Sequence, residues 1–214
     1  MHYSESPMLA RENSAYVNRF YHNQKKQHVV KVLPGGVYCT DQPEIISTGL
    51  GSCVAACIWD PYAHVGGMNH FLLPIAHSTE HHHWSHDDVV STASRYGSYA
   101  MEMLINQLIS LGAERVHMRM KLFGGAQMLG RKSAIGEKNV DFILRYAKQE
   151  RFEIDAYDLG GLEPRKILFD PLTGKAWLKR IPFAEISHLK HEEDHYAQQV
   201  EIESHKPADD VELF

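Results

Sequence analysis

Cys53 and His70 are the two side chains whose types and spacing could do chemistry together. Cys53 follows the glycine-bearing run Ser47-Thr48-Gly49-Leu50-Gly51-Ser52 and leads into an apolar stretch, while His70 follows Gly66-Gly67-Met68-Asn69. A cysteine acts as a nucleophile through its thiolate, which near neutral pH needs a neighbouring base or a positive dipole. The turn signal Asp60-Pro61 lies between the two, so the strands around it can fold back and bring the imidazole to face the thiol. A glycine-rich turn can also point successive backbone N–H groups at a carbonyl oxygen, forming an oxyanion hole. A hydroxyl from Thr48 or Ser47 can orient the imidazole, the task that Asp or Asn performs in other triads. The bland reading of the same residues is a buried structural cysteine and a packed strand histidine, and on spacing alone it is the commoner outcome.

Metal binding is the second chemistry to weigh, because Cys53, Cys57, His64 and His70 are all ligand types within a short span. On a strand, Cys53 and Cys57 are too far apart along one face for a compact tetrahedral site, so neither a metal nor a cofactor is expected. His81, His82 and His83 belong to a polar stretch and read as a solvated loop that binds metal only adventitiously. Gly124-Gly125 and Gly160-Gly161 lack the flanking pattern of phosphate loops and read as turns.

The elements that must hold Cys53 and His70 are short strands bounded by Gly, Pro and Asp: 29–33, 37–39, 44–48, 53–59 and 68–73. The mostly apolar run from Cys53 to Trp59 predicts a buried strand, with 68–73 as its antiparallel neighbour. A polar loop is expected from Ala76 to Asp88. Apolar residues then recur with helical period from Val89 to Leu111, with a capping start at Ser85 and a stop at Gly112. Alternation from Val116 to Leu122 predicts a half-buried strand, and a second helix is expected over about 137–149. Three strands follow, 152–158, 165–169 and 175–181. The expected domain plan is a polar N-terminal extension over 1–28, one globular domain over 29–182, and an acidic, solvated tail over 183–214.

Composition narrows the partners. With 214 residues and 43% hydrophobic content, the chain can bury one sizeable core. A formal charge of −5 lacks the basic excess that draws proteins to nucleic acid. No apolar run approaches the roughly 20 residues of a membrane-spanning helix, so no membrane insertion is expected. The polar N-terminus has no secretory signal pattern, and three cysteines in a chain of this size read as reduced thiols; both point to the cytoplasm.

The blocks Thr48-Gly49-Leu50-Gly51-Ser52-Cys53-Val54-Ala55-Ala56-Cys57, Asp60-Pro61 and Gly66-Gly67-Met68-Asn69-His70-Phe71-Leu72-Leu73-Pro74 closely resemble the CheD family of chemoreceptor glutamine deamidases. Further along, Arg95-Tyr96-Gly97, Lys121-Leu122-Phe123-Gly124-Gly125-Ala126, Ile135-Gly136-Glu137-Lys138-Asn139 and Asp158-Leu159-Gly160-Gly161 resemble its other recurrent blocks, so the likeness covers about 29–182. The resemblance implies an α/β (α+β) cysteine hydrolase fold, related to bacterial deamidating toxins, with mixed, mainly antiparallel sheets layered with two or three helices. It places the nucleophile on Cys53, the histidine on His70 and the third member on Thr48, with Ser47 adjacent. The activity it implies is hydrolysis of selected glutamine side chains to glutamate in the cytoplasmic region of methyl-accepting chemotaxis receptors, which makes those positions available for methylation. A CheC-type phosphatase is a further partner implied for some members. Two other readings use the same residues: a non-catalytic docking module for receptors or the phosphatase, and a receptor methylesterase.

Overall fold

In a computed structural model, residues 16–23, 26–73, 86–127, 134–182 and 187–204 are described. In chain order the elements are β1 (Val17–His22), β2 (Gln27–Val32), β3 (Val37–Thr40), β4 (Ile45–Leu50), β5 (Val54–Asp60), β6 (Val65–Asn69), α1 (His86–Ser110), β7 (Arg119–Gly124), α2 (Ile135–Gln149), β8 (Glu153–Leu159), β9 (Arg165–Phe169), β10 (Ala176–Arg180) and α3 (Ser187–Ser204). The strands form two five-stranded sheets, ordered β1-β2-β4-β9-β10 and β3-β6-β5-β7-β8. Pairing is antiparallel except for β2 with β4 and β7 with β8. This is the mixed, mainly antiparallel α+β arrangement with three helices that the resemblance implies.

β5 lies at the centre of the second sheet and is buried along its whole length, as its unbroken apolar run predicts. Its side chains alternate between two cores. Val54, Ala56 and Ile58 pack with Met101, Leu104, Ile105 and Leu108 of α1 and with Phe142 and Ile143 of α2. Cys53, Ala55, Cys57 and Trp59 face the other way, onto Ile46, Leu50, Ile167 and Phe169 of the first sheet. α1 therefore buries one stripe at the spacing its sequence shows. It ends where Gly112, at φ +100°, lets the Gly112 and Ala113 N–H groups turn back to the Ile109 and Leu108 carbonyls at 2.9 and 3.0 Å.

Two segments differ from their compositional reading. Residues 17–22, read as part of a polar extension, form an edge strand in full register with β2, from Val17 opposite Val32 to His22 opposite Gln27. An edge strand is held by its backbone ladder, so polar and exposed side chains do not prevent it. The acidic segment read as a solvated tail contains α3, which buries Leu189, Glu193, Tyr196 and Val200. Those four positions lie on one face at helical spacing, although the surrounding composition is strongly polar. The strand expected from Val116 begins at Arg119, because residues 115–117 form a short 3-10 turn that leaves Val116 exposed. The Ser85 cap and the histidines at 77 and 81–83 lie outside the described residues.

Candidate active site

The register of β5 and β6 brings Cys53 and His70 together. Val54 and Phe71 exchange backbone hydrogen bonds of 3.0 and 2.9 Å. Continuing that register sets His70 opposite Ala55 and diagonal to Cys53, on the same face. Thr48 arrives from the other sheet: with Ile46 and Leu50 it forms the inward-facing set of β4. Thr48, Cys53 and His70 are all buried.

The Thr48 hydroxyl lies 2.8 Å from His70 Nδ1 and donates its own hydrogen to the Val32 carbonyl at 2.7 Å. A hydroxyl has a single hydrogen. With that hydrogen committed to Val32, Oγ1 must accept from His70, so the network assigns the proton to Nδ1 and leaves a lone pair on Nε2. Nε2 is buried and has no hydrogen-bond partner among the described residues. Burial drives the His70 pKa down to about 4, against the upward pull of Glu193 and Glu192, so the ring is neutral near pH 7. Of the two hydroxyls weighed from sequence, it is that of Thr48 which bonds His70.

The turn from β4 to β5 has a polarity of its own. The Gly51 carbonyl accepts from Ala126 N at 2.7 Å, the Ser52 carbonyl from Asn139 Nδ2 at 2.8 Å, and the Cys53 carbonyl from Gly125 N at 2.7 Å. Asn139, buried on α2, also accepts from Leu73 N at 2.9 Å, tying the turn to the segment after His70. With their carbonyls thus held, the N–H groups of the same three residues converge on one acceptor, the carboxylate of Glu193. Gly51 N lies 2.6 Å and Cys53 N 3.3 Å from Oε1, while Ser52 N and Ser52 Oγ each lie 3.0 Å from Oε2. Successive backbone donors of this kind make an anion-binding nest.

A ring nitrogen of His70, the Cys53 sulfur and a Glu193 oxygen lie within 4.8 Å of one another. These are metal-ligand types, but the carboxylate oxygens already face backbone donors, an environment suited to an anion rather than a cation. Cys57 and His64, weighed as ligands from sequence, are not part of this group. Burial pushes the Cys57 and Cys39 thiols strongly up, so both stay protonated.

Sequence reasoning missed Asn139 as a support of the nest and Glu193 as its occupant. Asn139 could have been suspected from the block Ile135-Gly136-Glu137-Lys138-Asn139, whereas Glu193 sits in an acidic run that has no local signal of burial.

Comparison with known proteins shows the family to which the chain is related. Residues 73–180 match the family model described as CheD chemotactic sensory transduction. A protein of Vibrio vulnificus strain CMCP6 named probable chemoreceptor glutamine deamidase CheD is 66% identical over 200 residues, covering 94% of this chain and 93% of its own. Proteins of the same name from Vibrio cholerae strain M66-2 and Hahella chejuensis are 56% and 41% identical, each across 92% of this chain and covering 83% and 90% of their own. The family model begins beyond His70, but a 200-residue match within 214 residues necessarily takes in the segment from Thr48 to His70. With likeness of this extent along nearly the whole chain, this protein belongs to the CheD family.

Proposed function

We propose that this protein is a chemoreceptor glutamine deamidase in which Cys53 is the nucleophile, His70 the general acid–base and Thr48 the residue that orients the imidazole. The observation that carries the reading is the hydroxyl relay from His70 Nδ1 through Thr48 to Val32, which leaves Nε2 unprotonated on a ring that has a nitrogen within 4.8 Å of the Cys53 sulfur.

In the first step Nε2 takes the Cys53 proton as sulfur attacks the carboxamide carbon, forming a C–S bond. The carbonyl oxygen becomes an oxyanion, for which the Gly51, Ser52 and Cys53 N–H groups are the donors at hand. As the intermediate collapses the C–N bond breaks, and His70 gives its proton to the departing ammonia. Water then enters, His70 accepts one of its protons, and the resulting hydroxide attacks the thioester. The C–S bond breaks, sulfur regains the proton, and the product is a glutamate carboxylate.

The substrate region is the cytoplasmic part of the receptor, and the cytoplasm is the proposed place of action. Among the described residues no helix is long and apolar enough to cross a membrane. A CheC-type phosphatase belongs to the same proposal as a second partner.

The test is incubation with a receptor cytoplasmic fragment. A gain of about 1 Da at glutamine, with release of ammonia, is expected from the wild type and is lost in Cys53→Ala. No gain on any receptor fragment would overturn the reading, and methanol release from methylated receptor without ammonia release would replace it with the esterase.

A further inference from the structure

Glu193 is completely buried, and its carboxylate sits in the nest that an oxyanion would need. We propose that α3 occupies the seat of the substrate, holding Glu193 as an internal mimic of the glutamate product, so that the chain's own C-terminal helix competes with a receptor helix for the active site. The inference rests on the deamidase reading and adds to it the form of the substrate and a built-in competitor.

Two independent features indicate that the seat is shaped for a helix. The first is a series of glycines along the floor. A Cβ at Gly35 would lie 2.6 Å from the Tyr196 ring, one at Gly49 3.1 Å from Leu189 Cδ1, and one at Gly51 2.8 Å from Glu193 Oε2. Each glycine thus leaves room for a side chain from the buried face of α3. The second is the set of polar contacts flanking the central carboxylate. Lys31 Nζ pairs with Glu192 Oε1 at 2.7 Å, and the Tyr196 and Tyr96 hydroxyls meet at 2.5 Å.

The chemistry of Glu193 makes it a product mimic rather than a generic plug. A glutamyl carboxylate is what hydrolysis of a glutamine amide leaves behind, and it lies within 4.8 Å of both the Cys53 sulfur and a His70 nitrogen. The seat therefore defines a recognition pattern for the substrate: an amphipathic helix with the target glutamine where Glu193 stands. It would carry apolar residues four before, three after and seven after the glutamine, as at Leu189, Tyr196 and Val200, and an acidic residue immediately before it to meet Lys31.

The decisive variant is Glu193→Gln in the full chain. If α3 holds residue 193 as a substrate is held, the glutamine introduced there is hydrolysed in cis. The peptide gains about 1 Da at that position with first-order kinetics independent of protein concentration, and Glu193→Gln/Cys53→Ala shows no gain. A Glu193→Gln preparation that deamidates a receptor fragment yet leaves its own position 193 unchanged would overturn the inference and leave the deamidase reading intact. Failure on both substrates would overturn the deamidase reading, and the inference with it. Glu193→Ala supplies a second readout that needs no receptor: loss of the carboxylate contacts frees α3, and alkylation of Cys53 by iodoacetamide rises about tenfold or more. An unchanged alkylation rate would count against competition by α3.

Discussion

Replacing Thr48 with valine tests the relay on which the proposed mechanism depends. The change conserves volume and removes one oxygen, which accepts from His70 Nδ1 at 2.8 Å and donates to the Val32 carbonyl at 2.7 Å. Because Thr48 and His70 are both buried, water cannot replace the lost partner. An unsatisfied buried donor costs about 1–3 kcal/mol, which is the stability loss expected in urea unfolding. The effect on turnover comes from the ring itself. Without Thr48 the Nδ1–H form loses its selective advantage, and the imidazole can turn or hold its proton on Nε2, the nitrogen that must receive the thiol proton. If that advantage is worth about 1.4–2.8 kcal/mol in the transition state, kcat falls about 10- to 100-fold. The loss should be smaller than the about 10⁴-fold found on replacing the aspartate of a serine-protease triad, because a neutral hydroxyl gives the imidazolium no countercharge. The assay is ammonia release from a receptor fragment at saturating substrate, with Thr48→Ser as the control that keeps the hydroxyl and most of the activity. A Thr48→Val enzyme within about twofold of wild-type kcat would refute the argument, since an effect that small corresponds to less than about 0.5 kcal/mol.

Two further predictions test the surroundings of the site. His70 has its pKa lowered to about 4 in the folded chain, so between about pH 6.5 and 4 the unfolded chain binds a proton that the native protein excludes. The stabilisation is complete above pH 6.5 and is lost as pH falls toward 4, by about 3 kcal/mol, and His70→Gln should flatten that limb of the urea-unfolding profile. An unchanged acid limb in the variant would show that other groups produce it. Asn139→Ala removes both the donor to Ser52 O and the acceptor for Leu73 N, and should lower kcat about tenfold or more by loosening the N–H nest. Full turnover on the receptor fragment would show that the turn holds its shape without α2.

The strands and the first two helices were legible because their causes are local. The apolar run of β5, the helical stripe of α1 and the glycine after it are printed in adjacent residues, and the observed bounds follow them within a few positions. The pairing of Cys53 with His70 was also accessible, since a turn at Asp60-Pro61 between two apolar runs leaves few ways to place them. The choice between Ser47 and Thr48 follows from strand parity. In β4, Ile46, Thr48 and Leu50 share the face that meets the second sheet, and a shift of one residue would have turned Ser47 inward instead. β1 was hidden for a different reason, because an edge strand needs a backbone partner more than a hydrophobic pattern.

α3 exposes the limit of compositional reasoning most clearly. Glu192-Glu193-Asp194 resembles a solvated acidic run in every local respect, and two of its three carboxylates do retain partial exposure. The middle one is buried because a site 140 residues away offers it three backbone N–H groups whose carbonyls are held by Ala126, Asn139 and Gly125. A buried carboxylate without such donors would be costly, so its placement depends on the nest. In the proposed mechanism the donors that receive a transient oxyanion are the ones that hold the resident carboxylate, since both present negative oxygen to the same N–H groups. An active site of this kind is therefore intrinsically prone to inhibition by glutamate, whether on a released receptor helix or on the chain's own C-terminal one. In the proposed competition, rapid turnover requires that neither be held too tightly, so the buried contacts of Leu189, Tyr196 and Val200 would set how readily α3 yields the site.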